Sequence, residues 1–363
     1  MRPQRTTLLA CLVCCLGLGL SSCGDDDARA TEVNDAGPRE TRQDGAAGAD
    51  KNVTSDLAPG ANPLADVGGD ATAPAGDDGV PDARPLSPSA LRGKYLAESV
   101  LDCGGCHDSR ETPPRPLAGV PCFRDSLPTV DQMGCLNSSN LTNHETGLKS
   151  RSDAQIKELI RSGRRPDGLY LFSAMPTHLL ANLSDDDTQA LVDYLRTVPG
   201  VDNRLPANQD PWGNDCRGHA PVLLPYRLDQ PNTIPVAAPG APAGASNGRY
   251  LAALACIECH SKASNDATRA FDIGLAFQGG RAFMPPAGVV YSSNLTPDTT
   301  GTQGWTAGDF VKVLQLGLDR DGKKVCAPMP SHPGLTGADA ADIGSYLLAL
   351  PAKANPIPLQ CSM

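Results

Sequence analysis

Apolar residues at helical spacing dominate the chain from residue 89 onward. In two segments they lie three and four positions apart, as one face of an α-helix requires, and a residue that favours a helix N-terminus precedes each. The segments are Ile156, Leu159 and Ile160 after Ser152, and Phe310, Val313 and Leu314 after Thr306. Alternating apolar runs long enough for strands are absent from the sequence. The pattern therefore predicts an all-α fold.

Two later segments resemble capping boxes at the start of further helices. Ser184 and Thr336 each precede, by three positions, an acidic residue that could return a hydrogen bond to the cap. Each segment then runs into an apolar stretch, which closes with YLRTVP in one case and YLLALP in the other. We expect a helix to begin at each of these caps.

The same landmarks occur twice in register, which indicates an internal duplication. SSNLT occurs at 138–142 and at 292–296, and Met175 and Met329, each followed by proline, lie 35 residues after the asparagine of their own SSNLT sequence. CGGCH at 103–107 likewise has a copy, CIECH at 256–260. The repeat predicts two related helical units, at residues 89–202 and 246–363, with an interdomain linker at 203–245.

The first 23 residues have the layout of a bacterial lipoprotein signal. Arg2 and Arg5 precede an apolar run at 8–20 that is too short to span a bilayer as a mature helix. Small residues directly precede Cys23, as in a lipobox. We expect an exported protein of the cell envelope, tethered to the membrane through lipidated Cys23. Ordinary cleavage that leaves a free cysteine is the alternative.

Residues 24–88 contain no aromatic residue and carry 14 acidic against 5 basic side chains. Such a segment cannot bury enough apolar surface to offset its ordering entropy, so we expect a disordered tether. It accounts for most of the net charge of −10. The charge therefore says little about what the folded part binds, and nothing in the sequence indicates a nucleic acid partner.

C-x-x-C-H is the attachment sequence of c-type haem. The two cysteines would form thioethers with the porphyrin, and the histidine would bind the iron. The residues concerned are Cys103, Cys106 and His107, and Cys256, Cys259 and His260. A structural zinc site needs four N or S ligands, which the second unit does not supply in a suitable pattern, and a thioredoxin-type switch needs a βαβ setting. We therefore expect two haem c groups.

The second axial ligand of each iron is open to two interpretations. Met175 and Met329 occupy the same slot of the repeat, and thioether sulfur is a common partner of histidine in cytochromes. His178 and His332 lie three residues further on and offer bis-histidine ligation instead. The recurring Met-Pro sequence favours the methionines.

Other repeated residues are candidates for contacts around the haem. Asn140 and Thr142, with Asn294 and Thr296, would hydrogen-bond either a propionate or the distal loop, or they would cap a turn. Arg151 aligns with Trp305, and either side chain could donate to a propionate or pack elsewhere.

Five cysteines remain once the signal, lipobox and haem cysteines are set aside. Disulfides are the default in an oxidising compartment, and Cys122 with Cys135 would close a short loop. The pairing of Cys216, Cys326 and Cys361 stays open.

The second unit, from GRYLAALACIECHS through SSNLTPDTTGTQGW to the final YLLALP, resembles the c-type cytochrome subunits of bacterial membrane-bound alcohol and gluconate dehydrogenases. The first unit is a looser match, because Arg151 replaces the tryptophan. Those subunits usually have three haems, and this sequence has two C-x-x-C-H motifs. The resemblance implies tandem cytochrome c domains and His/Met ligation.

The resemblance also implies an electron carrier rather than an enzyme, serving redox partner proteins. An electron-accepting subunit of a dehydrogenase complex is an alternative. A dihaem peroxidase is another, which would require an open or displaceable sixth ligand on one iron.

Overall fold

The computed structural model describes residues 85–121, 137–172, 174–206, 224–229, 234–266, 268–285 and 288–358, which fall within one compact unit. The predicted signal and most of the predicted tether lie outside these ranges, as do Cys23, Cys122, Cys135, Cys216 and Cys361. Across the described ranges, none of the helices has both the length and the apolar character that a membrane span requires.

Five α-helices form the first half of the described chain. They are α1 (Pro88–Tyr95), α2 (Cys103–His107), α3 (Asp153–Ser162), α4 (Thr177–Leu180) and α5 (Asp185–Thr197). A π-helical turn, Leu96–Val100, continues α1 towards the first C-x-x-C-H motif.

The second half of the described chain has three α-helices, which correspond to α1, α3 and α5, and an added hairpin. Its helices are α6 (Ala245–Ala255), α7 (Ala307–Leu316) and α8 (Gly337–Leu348), with a 3₁₀ turn at Ile273–Leu275. Strands β1 (Ala282–Phe283) and β2 (Val290–Tyr291) pair antiparallel, with Ala282 opposite Tyr291 and Phe283 opposite Val290.

The four predicted N-caps are confirmed. The Ser152 hydroxyl accepts from the Gln155 N–H at 3.2 Å, and the Gln155 side chain accepts from the Ser152 N–H at 2.9 Å, which completes a capping box. Thr306 forms the same box with Asp309 at the start of α7. The side chains of Ser184 and Thr336 accept from the N–H groups of Asp187 and Asp339, and so cap the starts of α5 and α8.

The first and last helices of each half cross at a glycine. A Cβ on Gly93 of α1 would lie 1.8 Å from the Ala190 carbonyl oxygen of α5, and a Cβ on Gly248 of α6 would lie 1.9 Å from the Asp342 carbonyl oxygen of α8. Only glycine allows backbones to approach so closely. The crossings bring Leu96, Leu251 and their neighbours into the core, where both leucines are fully buried.

The prediction of an all-α fold with two tandem cytochrome c domains is wrong. The chain contains the β1–β2 hairpin, and one core cluster collects buried residues of both halves, such as Leu96, Leu191, Leu251 and Leu347. The physical reason is that each half leaves apolar surface uncovered, and the other half covers it. The boundaries at 89–202 and 246–363 remain predictions.

Candidate haem sites

The first C-x-x-C-H motif forms helix α2, which starts at a tight bend. Asp102, directly before it, has a left-handed backbone with φ of 48°. Cys103 packs against the core, Cys106 is exposed, and His107 is buried with 8% of its surface accessible. The second motif is a helical turn directly after α6, with its cysteines in matching positions, one packed on the core and one exposed.

Each motif histidine makes the same hydrogen bond. His107 Nδ1 lies 2.8 Å from the Ser139 carbonyl oxygen, and His260 Nδ1 lies 2.9 Å from the Ser293 carbonyl oxygen. A carbonyl can only accept, so Nδ1 carries the proton and Nε2 keeps its lone pair. A carbonyl that accepts from Nδ1 in this way orients the histidine to bind a metal through Nε2.

The backbone behind both histidines is held in the same way. The Gly119 N–H donates to the His107 carbonyl at 2.7 Å, and the Gly279 N–H donates to the His260 carbonyl at 2.8 Å. Burial lowers the pKa of both imidazoles, against the raising effect of the serine carbonyls. Both rings are therefore neutral, the form in which histidine binds a metal.

The four motif cysteines are free thiols. Burial raises the pKa of Cys103 and of Cys256 to about 12, and it raises the pKa of Cys106 and Cys259 as well. Two free cysteines and a histidine with a free Nε2 are the set of groups that the covalent attachment of haem c uses, whatever the thiol pKa. The residues of both motifs meet this requirement.

The two candidate methionines lie in matching turns. The Met175 N–H donates to the Phe172 carbonyl and the Met329 N–H to the Cys326 carbonyl, each at 3.0 Å. Both methionines are partly buried against the core cluster that Cys103 and Cys256 also contact. Cys326, in the second of these turns, is disulfide-bonded. Ligation by the two sulfur atoms remains a prediction.

The alternative histidine ligands point across the molecule. His178 is buried, and its Nε2 lies 3.0 Å from Glu258 Oε2. His332 Nδ1 lies 3.2 Å from the carbonyl oxygen of Ser99. Burial raises the pKa of the Glu258 carboxyl, but the hydrogen bond from His178 and the nearby charge of Arg281 work against it, so that this pKa lies below its usual value.

The repeated asparagines and threonines hold a buried turn. Asn140 Oδ1 accepts from the N–H and hydroxyl of Thr142, and Asn140 Nδ2 donates to the Val201 carbonyl at 2.8 Å. Asn294 makes the same contacts with Thr296 and with the Lys353 carbonyl. A hydrogen bond from these residues to a propionate or to the distal loop remains a prediction.

Arg151 and Trp305 differ in their surroundings. Trp305 packs on the core, with its ring centroid 5.4 Å from that of Phe310. Arg151 is half-buried, and its carbonyl accepts from the Arg196 guanidinium. A role for either side chain at a propionate remains a prediction.

Sequence reasoning missed the residues that join the two halves. Tyr250 donates to Asp187 Oδ2 at 2.8 Å, and Tyr95 donates to Asp339. The Ser184 N–H donates to the Tyr250 hydroxyl, and the Thr336 N–H donates to the Tyr95 hydroxyl, each at 3.3 Å. The sequences GKYLA at 93–97 and GRYLA at 248–252 could have pointed to these residues, because both contain the tyrosine.

The match of residues 90–199 to the cytochrome c family assigns this segment to that class of protein. Much of the chain is similar to cytochrome subunits of bacterial dehydrogenases, which confirms the resemblance seen in the sequence. It is 30% identical to the fructose dehydrogenase cytochrome subunit of Gluconobacter japonicus over 290 residues, which are 74% of this chain and 54% of that protein.

Two further relatives carry related names. The gluconate 2-dehydrogenase cytochrome c subunit of Pantoea cypripedii is 28% identical over 277 residues, covering 72% of this chain and 59% of the relative. The cytochrome c subunit of alcohol dehydrogenase (quinone) from Gluconobacter oxydans is 32% identical over 115 residues, covering 31% and 22%. The chain thus spans between half and two thirds of the length of the fructose and gluconate dehydrogenase subunits.

Proposed function

We propose that this protein is an electron-transfer cytochrome with two covalently bound haem c groups, one at each C-x-x-C-H motif. The observation that carries the proposal is the repeated arrangement of the two motifs. Each has two free cysteines and a histidine whose Nδ1 is fixed on a serine carbonyl, at 2.8 Å for His107 and 2.9 Å for His260. Two matched sites in one compact unit suit a relay.

Haem c supplies a reversible one-electron change at iron, with a potential set by the axial ligands and the surrounding polarity. The chain attaches each group through its motif cysteines and presents an oriented Nε2 of His107 or His260. Met175 and Met329 supply the soft second ligand from their turns. The shared apolar core packs behind Cys103 and Cys256 and limits the access of water.

We also propose that the electron donor is a dehydrogenase subunit in the bacterial cell envelope. The three relatives named above are cytochrome subunits of dehydrogenases for fructose, gluconate and alcohol. Their names give different substrates, while each subunit is similar to this chain, so no substrate is proposed for it. Lipidation of Cys23 would keep the cytochrome at the membrane beside such a partner.

The haem number and ligation are tested on protein produced in a host that attaches haem c. We expect the intact mass to show two haems, and a weak far-red absorption band of the oxidised protein to report iron–sulfur(Met) bonds. Met175→Ala and Met329→Ala should each remove about half of this band and lower the potential of one haem. Met284→Ala is the matched control, since Met284 is 50% exposed and lies outside both sites.

A mass with one haem or none would contradict the two-haem proposal. A full far-red band in both methionine variants would contradict the axial assignment while leaving the attachment sites intact.

A further inference from the structure

The two distal turns reach across the molecule in a reciprocal way. His178 lies three residues after Met175, and His332 lies three residues after Met329. Each histidine contacts the other half of the chain, at or just before its C-x-x-C-H motif. His178 contacts Glu258, between Cys256 and Cys259, and His332 contacts Ser99, four residues before Cys103.

The first of these contacts is a partly buried hydrogen bond between a buried histidine and a carboxylate. His178 is 3% exposed, and its Nε2 donates to Glu258 Oε2 at 3.0 Å. Arg281 holds the acceptor in place, since its guanidinium lies 3.3 Å from Glu258 Oε1 and donates to the Glu258 carbonyl at 3.0 Å. Hydrogen bonds to a charged group are stronger than neutral ones, and more so away from water.

The histidine is also fixed from its backbone side. The Tyr226 N–H donates to the His178 carbonyl at 3.3 Å, and the Tyr226 ring stacks on Phe271 with centroids 3.8 Å apart. His178 meets the edge of Tyr226, with ring centroids 6.2 Å apart. His178 is therefore anchored on Glu258 of the second half and on Tyr226 of the predicted linker, whose ring stacks on Phe271 of the second half.

The second contact is a close backbone approach. His332 Nδ1 donates to the Ser99 carbonyl at 3.2 Å. Two residues further on, a Cβ at Gly334 would lie 2.3 Å from Ser99 Oγ and 3.1 Å from Ser99 Cβ, so a larger residue there would require the Ser99 side chain to move. The second distal turn thus lies directly on the π-helical turn that leads to the first motif.

We propose that His178 and His332 are positioning residues that hold each distal methionine turn against the haem-attachment segment of the opposite half. This inference rests on the proposed two-haem function. It makes the iron–sulfur bond of each haem depend on a contact at, or just before, the attachment sequence of the other. It also fixes the relative placement of the two sites without a flexible connection.

The test uses the haem-loaded protein with Met329→Ala, so that the far-red band reports Met175 alone. We expect His178→Ala to weaken that band and to make the displacement of methionine by added imidazole at least about tenfold faster. Glu258→Gln should also weaken the band and speed the displacement, but less than His178→Ala does, although Glu258 lies in the other motif. His178→Gln keeps a donor for Glu258 and should restore most of the wild-type rate.

Asp153→Asn is the matched control, because it removes one partner of the Asp153–Arg196 pair, which links the start of α3 to the end of α5. Intact mass separates the possible failures. Fewer than two haems in the parent protein contradicts the proposed function. Two haems with an unchanged displacement rate in both His178→Ala and Glu258→Gln overturns the positioning role. Complete loss of one low-spin haem signal in His178→Ala, together with an unchanged signal in Met175→Ala, overturns it in favour of histidine ligation.

The reciprocal half of the proposal has its own variant. In a Met175→Ala protein the band reports Met329, and His332→Ala should accelerate its displacement. An unchanged rate there would contradict the reciprocal arrangement.

Discussion

At the scale of single residues, Asn140 and Asn294 organise the turns from which the motif histidines take their orientation. Ser139 and Ser293, whose carbonyls accept from those histidines, directly precede the asparagines. The Asn140 amide ties its own turn to Thr142 and to Val201, about sixty residues away. A fixed asparagine therefore holds the serine carbonyl at the position that the imidazole requires.

Asn140→Ala is expected to lower the free energy of unfolding by about 2 to 4 kcal/mol. The change removes the acceptor of the Thr142 N–H and hydroxyl and one donor to the Val201 carbonyl, and unsatisfied buried groups cost about 1 to 3 kcal/mol each. Denaturant titration followed by circular dichroism measures the loss. Asn265→Ala, at an exposed asparagine, should stay within about 0.5 kcal/mol. Equal losses in the two variants would contradict the turn-holding role.

The sequence singled out Asn140 and Asn294 through their repetition but could not choose between a propionate contact and a turn. The choice depends on the carbonyls of Val201 and Lys353, which lie far along the chain. A pattern read within each unit carries no information on such distant backbone partners. The haem-attachment motif differs in this respect, because its chemistry is contained within five consecutive residues.

At the scale of elements, the glycine crossings decide how α1 meets α5 and how α6 meets α8. Gly93 lies against the backbone of Ala190, and Gly248 lies against that of Asp342. The short distance places the apolar faces of both helices in direct contact, beside the segments that lead to the motifs. The elements that carry the cysteines are thus positioned by a backbone-to-backbone approach.

Gly93→Ala is expected to destabilise the protein by about 3 kcal/mol, since a methyl group at 1.8 Å from a carbonyl oxygen forces the helices apart and overpacking typically costs about 1 to 3 kcal/mol. Gly308→Ala in α7 is the control, because its Cβ would meet nothing closer than 3.6 Å. That change should be neutral or stabilising by up to about 1 kcal/mol. Thermal melting compares the two, and a neutral Gly93→Ala would contradict the close crossing.

Helix starts could be predicted, whereas the sheet could not. Ser152, Thr306, Ser184 and Thr336 bond to the N–H groups of their own first turns, so a local pattern contains the information. Strands β1 and β2 have two residues each, which is too short for any alternation to show. Asp187 was predicted as a capping-box partner, but its carboxylate turns to Arg92 and Tyr250, which packing brings near.

At the scale of the whole molecule, the two halves exchange equivalent contacts. Tyr250 of the second half binds Asp187 at the start of α5, and Tyr95 of the first half binds Asp339 at the start of α8. The duplication was visible in the sequence, but the way in which its copies pack was not. Each copy carries a complete set of local signals, and these would be the same for two separate domains as for one compact unit.

The contact at Asp187 is expected to weaken in acid. Burial raises the pKa of this carboxyl, but hydrogen bonds from Arg92 at 2.8 Å and from Tyr250 at 2.8 Å, with the charge of Arg92, bring it below its ordinary value of 3.8. A carboxyl with a lowered folded pKa contributes stability that is complete above the unfolded pKa and is lost as pH falls through the folded pKa.

Asp187→Asn should therefore lower the free energy of unfolding at neutral pH, and the difference from wild type should shrink below about pH 4. Urea titrations between pH 2 and pH 7 measure it, with Asp186→Asn, an exposed carboxylate of the same helical turn, as the control for lost charge. A difference that stays constant down to pH 2 would show that the ionised carboxylate does not join the two halves.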